Sequence, residues 1–406
     1  MGSSKAAPLY DLYGDGTLDR LRTQLTRVAE TGMYDWHSAE SDIDLGSVSS
    51  WEEFREIPFT TGDDLLADIK ANPPMGSLYQ EGSMISFTPE KDDLMPIFET
   101  PSDIETFERI HERIFRRIGV EPGDRAVITL TYHLFGSGFL IHRALEYMGV
   151  EVLPLGPSNS EQTARLINEY DVDVFWGNPS FGLKVAEYGG DALEIFIGAG
   201  EPFTSIPGQR ERVRDAFENL ETVVDYFGTR QAWPVAVECS DEVGLHVVDD
   251  FILAEIIDPE TGEVLPPGER GEVVLTHLDK KGGPLVRYRT GDLSILDKGT
   301  SSLGESTVIM PRGVFGRTDQ RHKVKGVKLY PQGVALTLAG FPDLTGNYQI
   351  RISRPEDTDR LTVICEGSAD EDELQGALTK QLQIRPDDLD LRDELGVDET
   401  VVDERY

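Results

Sequence analysis

Five short segments between residues 198 and 331 gather side chains suited to a charged, hydroxyl-bearing ligand: GAGEP (198–202), DYFGT (225–229), GEVVLTHL (271–278), PLVRYRTGDL (284–293) and GRTDQRHKVKGVKLYP (316–331). A carboxylate such as Asp292 accepts two hydrogen bonds from a diol. Taken alone, Asp292 could equally cap the turn after Gly291. Gly198, Ala199, Gly200, Glu201 and Pro202 offer a small-residue wall on which a flat ring could lie, and by themselves would be an ordinary strand-to-loop turn. Cys239 and His246 keep a Cys-x6-His spacing. Structural zinc takes four protein ligands, and with no second cysteine nearby a buried free thiol is the expectation.

The elements that position these residues can be read from apolar spacing. Residues 18–32 carry Leu and Val at helical intervals, with Gly32 as a stop. Residues 51–68 read as a surface-wrapping stretch. Residues 103–119 form an amphipathic helix, with Asp103 as cap and Ile104, Phe107, Ile110, Ile114 and Ile118 as its stripe. Turn residues Pro122, Gly123 and Asp124 precede a buried strand over 126–131. Helices over 137–149 and 160–170 then alternate with strands over 150–156 and 172–179. Alternation of helices with continuously apolar strands predicts a parallel α/β sheet. After residue 220 the pattern turns strand-rich (222–227, 244–258, 272–278), residues 298–313 read as a Gly/Ser-rich loop, and short strands plus a helix over 370–384 close the chain. The expected fold class is α/β. A large N-terminal domain (1–318) of parallel α/β sheets carries a small β subdomain (about 232–315), and a small mobile α+β C-terminal domain (319–406) follows.

Charge excludes several classes of partner. With 74 acidic and 38 basic side chains the net charge is −36, a surface that repels nucleic-acid phosphates and anionic lipid. No apolar run reaches the roughly 18–20 residues that span a bilayer, and the N-terminus has no apolar signal region. The 11 lysines against 27 arginines, with acidic residues along the whole chain, fit a protein of a high-salt cytoplasm. An ordinary acidic protein is the alternative. Two cysteines make no disulfide framework.

In order and spacing, the five segments resemble the adenylate-forming superfamily, and within it the phenylacetate–CoA ligase branch of AMP-forming acid–CoA ligases. The resemblance extends to WEEFREIPFTT (51–61), RIGVEPGD (117–124), TYHLFGSGF (131–139), GLHVVDDFILAEIIDPETGEVLP (244–266) and VVDER (401–405). It implies ATP or AMP, Mg²⁺ and CoA as cofactors, a carboxylic, and on this branch aryl, acid as substrate, and a cytoplasmic homodimer. Asp292 would hold both ribose hydroxyls and Arg317 the ribose or phosphate side. Gly198–Pro202, Phe227, Gly228 and Thr229 would frame the adenine. Asp319 would be the hinge on which a C-terminal domain swings between adenylation and thiolation. Lys323, Lys325 and Gly326 would face the CoA phosphates, or simply form a solvated basic turn. Tyr132, Phe135, Gly136 and Pro234 match positions that shape the acyl pocket, although aromatic residues after a strand are often core.

Departures from the family pattern fall on its catalytic parts. Its Gly/Ser/Thr-rich phosphate loop is replaced by ISFTPEKDDLMPIFET (85–100), which has no glycine to bring backbone N–H groups together. Glu90, Asp92 and Asp93 stand there, and only Ser86, Thr88 and Lys91 remain as ligands. The magnesium carboxylate is replaced by Gln231, a weaker ligand, and its neighbour Arg230 brings a cation to the phosphate region. The C-terminal catalytic lysine falls on Val397. Two readings follow. The chain is an ATP-dependent acid–CoA ligase in which Arg230 and Lys91 screen the phosphates, or an impaired pseudo-ligase that binds AMP or acyl-adenylate, with thiolation alone or a regulatory role.

Overall fold

The computed structural model describes residues 8–36, 43–82, 84–90, 93–300, 306–318, 322–324, 327–329, 331–355, 359–382, 384–396 and 400–404. The chain divides into two compact units. The first comprises Met1–Phe203, Val213–Thr290 and Ser294–Gly313, and the second Thr204–Arg212, Gly291–Leu293 and Val314–Tyr406.

In the first unit, strands β1 (Met84–Glu90) and β2 (Asp93–Glu99) form an antiparallel hairpin. A nine-stranded sheet is built from β3 (Arg125–Ile128), β4 (Glu151–Leu153), β5 (Val174–Gly177), β6 (Ile195–Ala199), β7 (Thr222–Phe227), β8 (Ala236–Val237), β9 (Leu245–Val247), β13 (Asp297–Thr300) and β14 (Ser306–Met310). Strands β10 (Ile252–Ile257) and β11 (Arg270–His277) pair antiparallel, and β12 (Tyr288–Ile295) joins their sheet. The nine strands run in the order β13-β14-β9-β8-β7-β6-β5-β3-β4. Those from β7 to β4 are parallel, as the strand–helix alternation read over 126–179 predicts for β3, β4 and β5.

Alternation along these strands sends side chains to two separate cores. Ala126, Ile128, Val174, Trp176, Ile197 and Val224 face helices α3 (Pro101–Ile118) and α4 (Ser137–Met148). Val127, Phe175, Phe196 and Val223 face α5 (Ser160–Glu169) and α6 (Pro179–Ala186). Helices α1 (Asp15–Glu30) and α2 (Gly62–Ala71) complete the helices of the first unit used below. The segment 51–68, expected to wrap the surface, instead begins two helices. Ser50 accepts from Glu53 N at the start of Trp51–Arg55, and Thr61 forms a capping box with Asp64 at the start of α2. The helix expected at 103 starts at Pro101: Thr100 is its N-cap, and Asp103 is the reciprocal partner in the box.

Residues 298–313, read as a loop from their Gly and Ser content, contain β13 and β14. Thr307, Val308, Ile309 and Met310 supply β-branched and apolar residues, β14 continues the sheet beside β9, and Gly299 fits under Ile309, whose Cγ2 would lie 2.6 Å from an added Cβ. Neighbouring strands override the weak local signal here.

A buried ion pair ties the N-terminal segment to the β10–β12 sheet. Arg287 Nε and Nη2 donate to the two Glu255 carboxylate oxygens at 3.1 and 3.0 Å, and Nη1 donates to the carbonyls of Arg55 and Ile57 at 2.6 and 2.7 Å. Tyr10 Oη donates to the same carboxylate at 2.5 Å. Every charge taken from water here meets a partner, which buried ions require.

In the second unit, β18 (Leu344–Ser353), β19 (Arg360–Gly367), β20 (Asp388–Arg392) and β21 (Val401–Asp403) form a sheet in the order β20-β19-β18-β21. Helices α7 (Gln332–Leu338) and α8 (Glu371–Leu382) cover it through Val334, Leu338, Leu374, Leu378 and Leu382. Strand β15 (Gly316–Arg317) pairs with residues 292–293, and β16 (His322–Val324) pairs with β17 (Val327–Leu329). Among the described residues no helix is long and apolar enough to cross a membrane.

His111, on α3, is fully buried between the Phe107 carbonyl and the Tyr226 hydroxyl, 2.8 Å from each. Burial lowers its pKa to about 3. Burial also holds His277 well below the usual imidazole value. Both are neutral in the fold and titrate near 6.5 when unfolded. The unfolded chain therefore binds more protons as pH falls, and stability is lost over the window from about 6.5 towards 3. Denaturant midpoints at pH 7.5 and 5, in wild type and His111→Gln, should show a shallower acid slope in the variant, by up to about 1.4 kcal/mol per pH unit. Parallel slopes would remove His111 from the account.

Candidate functional site at the carboxyl ends of the parallel strands

Strand order creates a crevice. The chain steps outward from β3 to β4 and then crosses back over β3 to β5. Loops leaving β3 and β5 therefore diverge, and ligands of open α/β sheets bind beyond the carboxyl ends of strands at such a switch point. The loops after β3, β5, β6 and β7 carry Tyr132, Phe135 and Gly136; Asn178, the N-cap of α6; Gly200, Glu201 and Pro202; and Gly228, Thr229, Arg230 and Gln231.

The small-residue wall is held by polar contacts to its neighbour. Asn178 Nδ2 donates to the Ala199 carbonyl at 3.1 Å, and Glu201 accepts from the backbone N–H of Ser180 and, at 2.9 Å, from its hydroxyl. Gly198 has no room for a side chain: an added Cβ would lie 2.7 Å from the Phe203 ring and 3.0 Å from Pro179. Gly200 has φ +85°, a left-handed conformation that favours glycine.

The loop after β7 folds back on itself. Thr229 N donates to the Ala232 carbonyl at 3.0 Å and Ala232 N to the Thr229 carbonyl at 3.1 Å. Phe227 pairs with Ala236, and Trp233 stands edge-on to Tyr226 and Phe107. The tight turn aims Arg230 inward. Its Nε donates to the Phe135 carbonyl at 2.7 Å, its Nη1 to Glu99 at 2.8 Å, and its Nη2 to the Ser86 hydroxyl. The Arg230 and Glu99 side chains are each 8% exposed. The cation expected to face phosphates is thus bound to protein, and so is Ser86.

The stretch 85–100, expected as a substitute phosphate loop, is the β1–β2 hairpin, with a ladder running from Met84↔Glu99 to Glu90↔Asp93. Phe87 N donates to the Leu134 carbonyl at 2.9 Å and seats the hairpin on the loop after β3. Thr88 is buried. Lys91 and Asp92 lie outside the described residues.

Gln231 Nε2 donates to the Tyr288 hydroxyl at 3.2 Å. No group of three or more His, Cys, Asp or Glu side chains among the described residues could hold a metal. The donor set here does not fit magnesium caged by the protein: Gln231 is neutral, and the nearby Glu99 is already bound by Arg230. Cys239 and His246 likewise lack companions for zinc. Cys239 is a buried free thiol whose pKa burial pushes up to about 11, and His246 Nδ1 meets the Thr307 hydroxyl at 2.9 Å.

Of the positions matched to the acyl pocket, Tyr132 Oη lies 3.1 Å from His142 Nδ1. Gly136, with φ +69°, would put a Cβ 3.1 Å from Ser86 and 3.5 Å from Arg230. Phe135 is half-buried and Pro234 is buried. Beside them lies a cavity of about 20 Å³ lined by Glu99, Asp103, Phe107, Leu140, Arg230, Gln231, Trp233, Phe251 and Lys280. The sequence did not single out Glu99 or Lys280. Lys280 Nζ is buried, donates to the Phe98 carbonyl at 3.0 Å and lies 3.9 Å from Glu99 Oε1. A lysine in so lysine-poor a chain was the available signal.

In the second unit Asp292 and Arg317 face each other across a ladder pair, with Arg317 Nη1 3.2 Å from Asp292 Oδ1. The pairing brings together the two residues proposed for ribose contacts. Asp319, Lys325, Gly326 and Val397 lie outside the described residues, and Lys323 is placed only as a residue of β16.

The fold is shared with solved structures. It matches 2-hydroxyisobutyryl-CoA ligase in the postadenylation state, in complex with R3-HIB-AMP, at a TM-score of 0.84 and 22% identity over 96% of this chain and 89% of that one. It matches apo MatB from Rhodopseudomonas palustris at 0.58 and 16% identity, over 77% and 64%. Sequence relatives include the phenylacetate–coenzyme A ligases of Pseudomonas putida (28% identity; 90% of this chain, 86% of the relative) and Aromatoleum evansii (32%; 70% and 66%). No protein-family model matches the chain. The chain belongs to the adenylate-forming superfamily, where it is similar to the phenylacetate–CoA ligase branch.

Gly228 is the tightest point of the β7 loop, since an added Cβ would lie 2.1 Å from Trp233 Cδ1. Gly228→Ala should displace the indole, shift tryptophan fluorescence and cost about 1–3 kcal/mol. Gly376, in α8, has open space around it. Gly376→Ala should be neutral or stabilising by up to about 1 kcal/mol. Equal urea midpoints for the two variants would contradict the packing read here.

Proposed function

We propose that the protein is an AMP-forming acid–CoA ligase. It would join a carboxylate to ATP as acyl-adenylate with release of pyrophosphate, then pass the acyl group to the CoA thiol with release of AMP. The observation that carries the reading is likeness to phenylacetate–coenzyme A ligases along 90% of the chain, together with the Asp292–Arg317 pair. In this reading Asp292 exchanges Arg317 for the ribose hydroxyls, keeping charge-assisted hydrogen bonds throughout. Gly198–Pro202, with Phe227–Thr229, gives the adenine a flat seat. Tyr132, Phe135, Gly136 and Pro234 bound the acyl group, for which an aryl acid is the class of choice. Asp319 serves as hinge, and Lys323, Lys325 and Gly326 meet the CoA phosphates. Magnesium enters only as the counter-ion that ATP brings.

One observation favours a second reading. Arg230 is bound to Ser86 and to one oxygen of Glu99, and Gln231 and Val397 replace the family's carboxylate and lysine. These losses fall on adenylation and spare thiolation, so the protein could take a preformed acyl-adenylate. Removing one preorganised donor typically costs on the order of 10²–10³ in rate.

Pyrophosphate release on mixing with ATP and a panel of aryl and aliphatic acids tests the first reading, and acyl-CoA formation from synthetic acyl-AMP and CoA tests the second. Release of pyrophosphate with at least one acid is expected. Thioester formation without it would leave thiolation alone, and neither product would overturn both.

We further propose that the protein works as a homodimer in a high-salt cytoplasm. Its net charge of −36 repels itself across distances that about 1 M salt, with a screening length near 3 Å, would silence. The urea midpoint should therefore rise between about 0.1 M and 2 M KCl. A midpoint that is flat or falling would count against a halophilic origin.

A further inference from the structure

Each nitrogen of the Arg230 guanidinium donates to protein, whereas only one oxygen of its carboxylate partner accepts. Glu99 Oε1 accepts from Arg230 at 2.8 Å, while Glu99 Oε2 is buried with no hydrogen-bond partner. The water-sized cavity is lined by Glu99 together with Arg230 and Lys280, and a void of this size with polar walls leaves room for one water or for a small swing of the side chain. A second cation is already close. Lys280 Nζ sits 3.9 Å from Glu99 Oε1. Asp103, the other carboxylate of the cavity, is held by the backbone N–H groups of Lys281 and Gly282 at 2.7 and 2.8 Å and by Thr100, so it does not compete for Lys280 by hydrogen bonding. Phe107, Leu140, Trp233 and Phe251 shield the group from water, which strengthens each charge interaction inside.

We propose that Glu99 is an internal counter-anion shared between Arg230 and Lys280, and that a nucleotide polyphosphate recruits Arg230 by shifting Glu99 onto Lys280. Glu99 and Lys280 are then positioning residues that set the preference between nucleoside triphosphate and monophosphate. A triphosphate supplies the anion that replaces Glu99 at Arg230. A monophosphate, held through base and ribose, does not need it. The exchange leaves no charge unpaired in either arrangement, which is what a buried carboxylate demands. The proposal rests on the nucleotide reading given above, with the phosphates beyond the carboxyl ends of β3 and β7.

The test is calorimetric binding of ATP and of AMP, in molar salt, to the full chain and to Glu99→Gln, Arg230→Gln, Lys280→Met and the double variants Glu99→Gln/Arg230→Gln and Glu99→Gln/Lys280→Met. Glu99→Gln should bind ATP about tenfold tighter, with AMP changed by less than about twofold, a coupling of ordinary size. Arg230→Gln should weaken ATP binding about tenfold in the wild-type background and should remove the gain entirely in the Glu99→Gln background, leaving the double variant as weak as Arg230→Gln alone, a non-additivity that simple loss of one negative charge would not produce. Lys280→Met should weaken ATP binding about tenfold while Glu99 is present and have no effect on Glu99→Gln. Thermal unfolding of each variant checks that it is folded. Should Glu99→Gln fail to fold, Glu99→Asp withdraws the carboxylate by one methylene and should shift ATP binding the same way. AMP binding retained with ATP affinity unmoved or weakened in Glu99→Gln would overturn the proposal and leave Glu99–Arg230 as a fixed strut. Absence of both nucleotides from the wild type would instead overturn the nucleotide reading.

Discussion

The three contacts of Arg230 hold the crevice together. One guanidinium joins the loop after β3 through the Phe135 carbonyl, the β1 strand through Ser86 and the end of β2 through Glu99. The β1–β2 hairpin, the loop after β3 and the loop after β7 come from distant parts of the sequence, and the guanidinium joins all three. A planar fork of donors suits such a junction, since it reaches three acceptors in fixed directions. Lysine, a single point charge, would hold fewer of them at once. The consequence is chemical as well as structural. In place of the glycine-rich loop that the resemblance led one to expect, this chain has a hairpin whose first strand is already tied to a cation and whose last residue neutralises it.

Around that junction the crevice is shaped by residues that leave little freedom. Gly198 is pressed by Phe203 and Pro179, Gly228 by Trp233, and Gly136 by Ser86 and Arg230. Each glycine thus permits a close approach that a methyl group would prevent. The aromatic cluster beneath, Phe107, His111, Tyr226 and Trp233, links α3 to the base of the β7 loop. A neutral His111 bridging the Phe107 carbonyl and the Tyr226 hydroxyl satisfies polar atoms that would otherwise be stranded in this apolar layer.

Much of the scaffold was legible because its signals are local. Alternation of helices with apolar strands at β3, β4 and β5 announced a parallel sheet, and the stripe of α3 announced the helix over it; β6 was not singled out, and β7 was read as part of the strand-rich stretch that follows. Asp292 and Arg317 were each singled out from their motifs as ribose or phosphate contacts and not as a pair; the structure sets them opposite each other in one ladder. Residues 298–313 and 51–68 were misread for opposite reasons. In the first, a neighbouring strand imposed order on a sequence rich in Gly and Ser. In the second, two caps, Ser50 and Thr61, started helices that the apolar spacing alone did not reveal. Glu99 and Lys280 were not legible at all. They are separated by 181 positions and lie in segments with no pattern connecting them, so their meeting is a property of the tertiary fold.

The charge balance of the chain and the chemistry of the crevice follow one division. Acidic excess is spread over the surface, whereas Arg287, Arg230 and Lys280 are buried against Glu255, Glu99 and the Phe98 carbonyl. Mobile salt screens the first set within about a Debye length and does not reach the second. Rising ionic strength therefore weakens surface repulsion and leaves the interior pairs at full strength. A polyphosphate entering the crevice is a different kind of competitor. It does not screen from outside but brings its own oxygens to the guanidinium, and only a ligand that replaces a bond in this way can redistribute a buried ion pair.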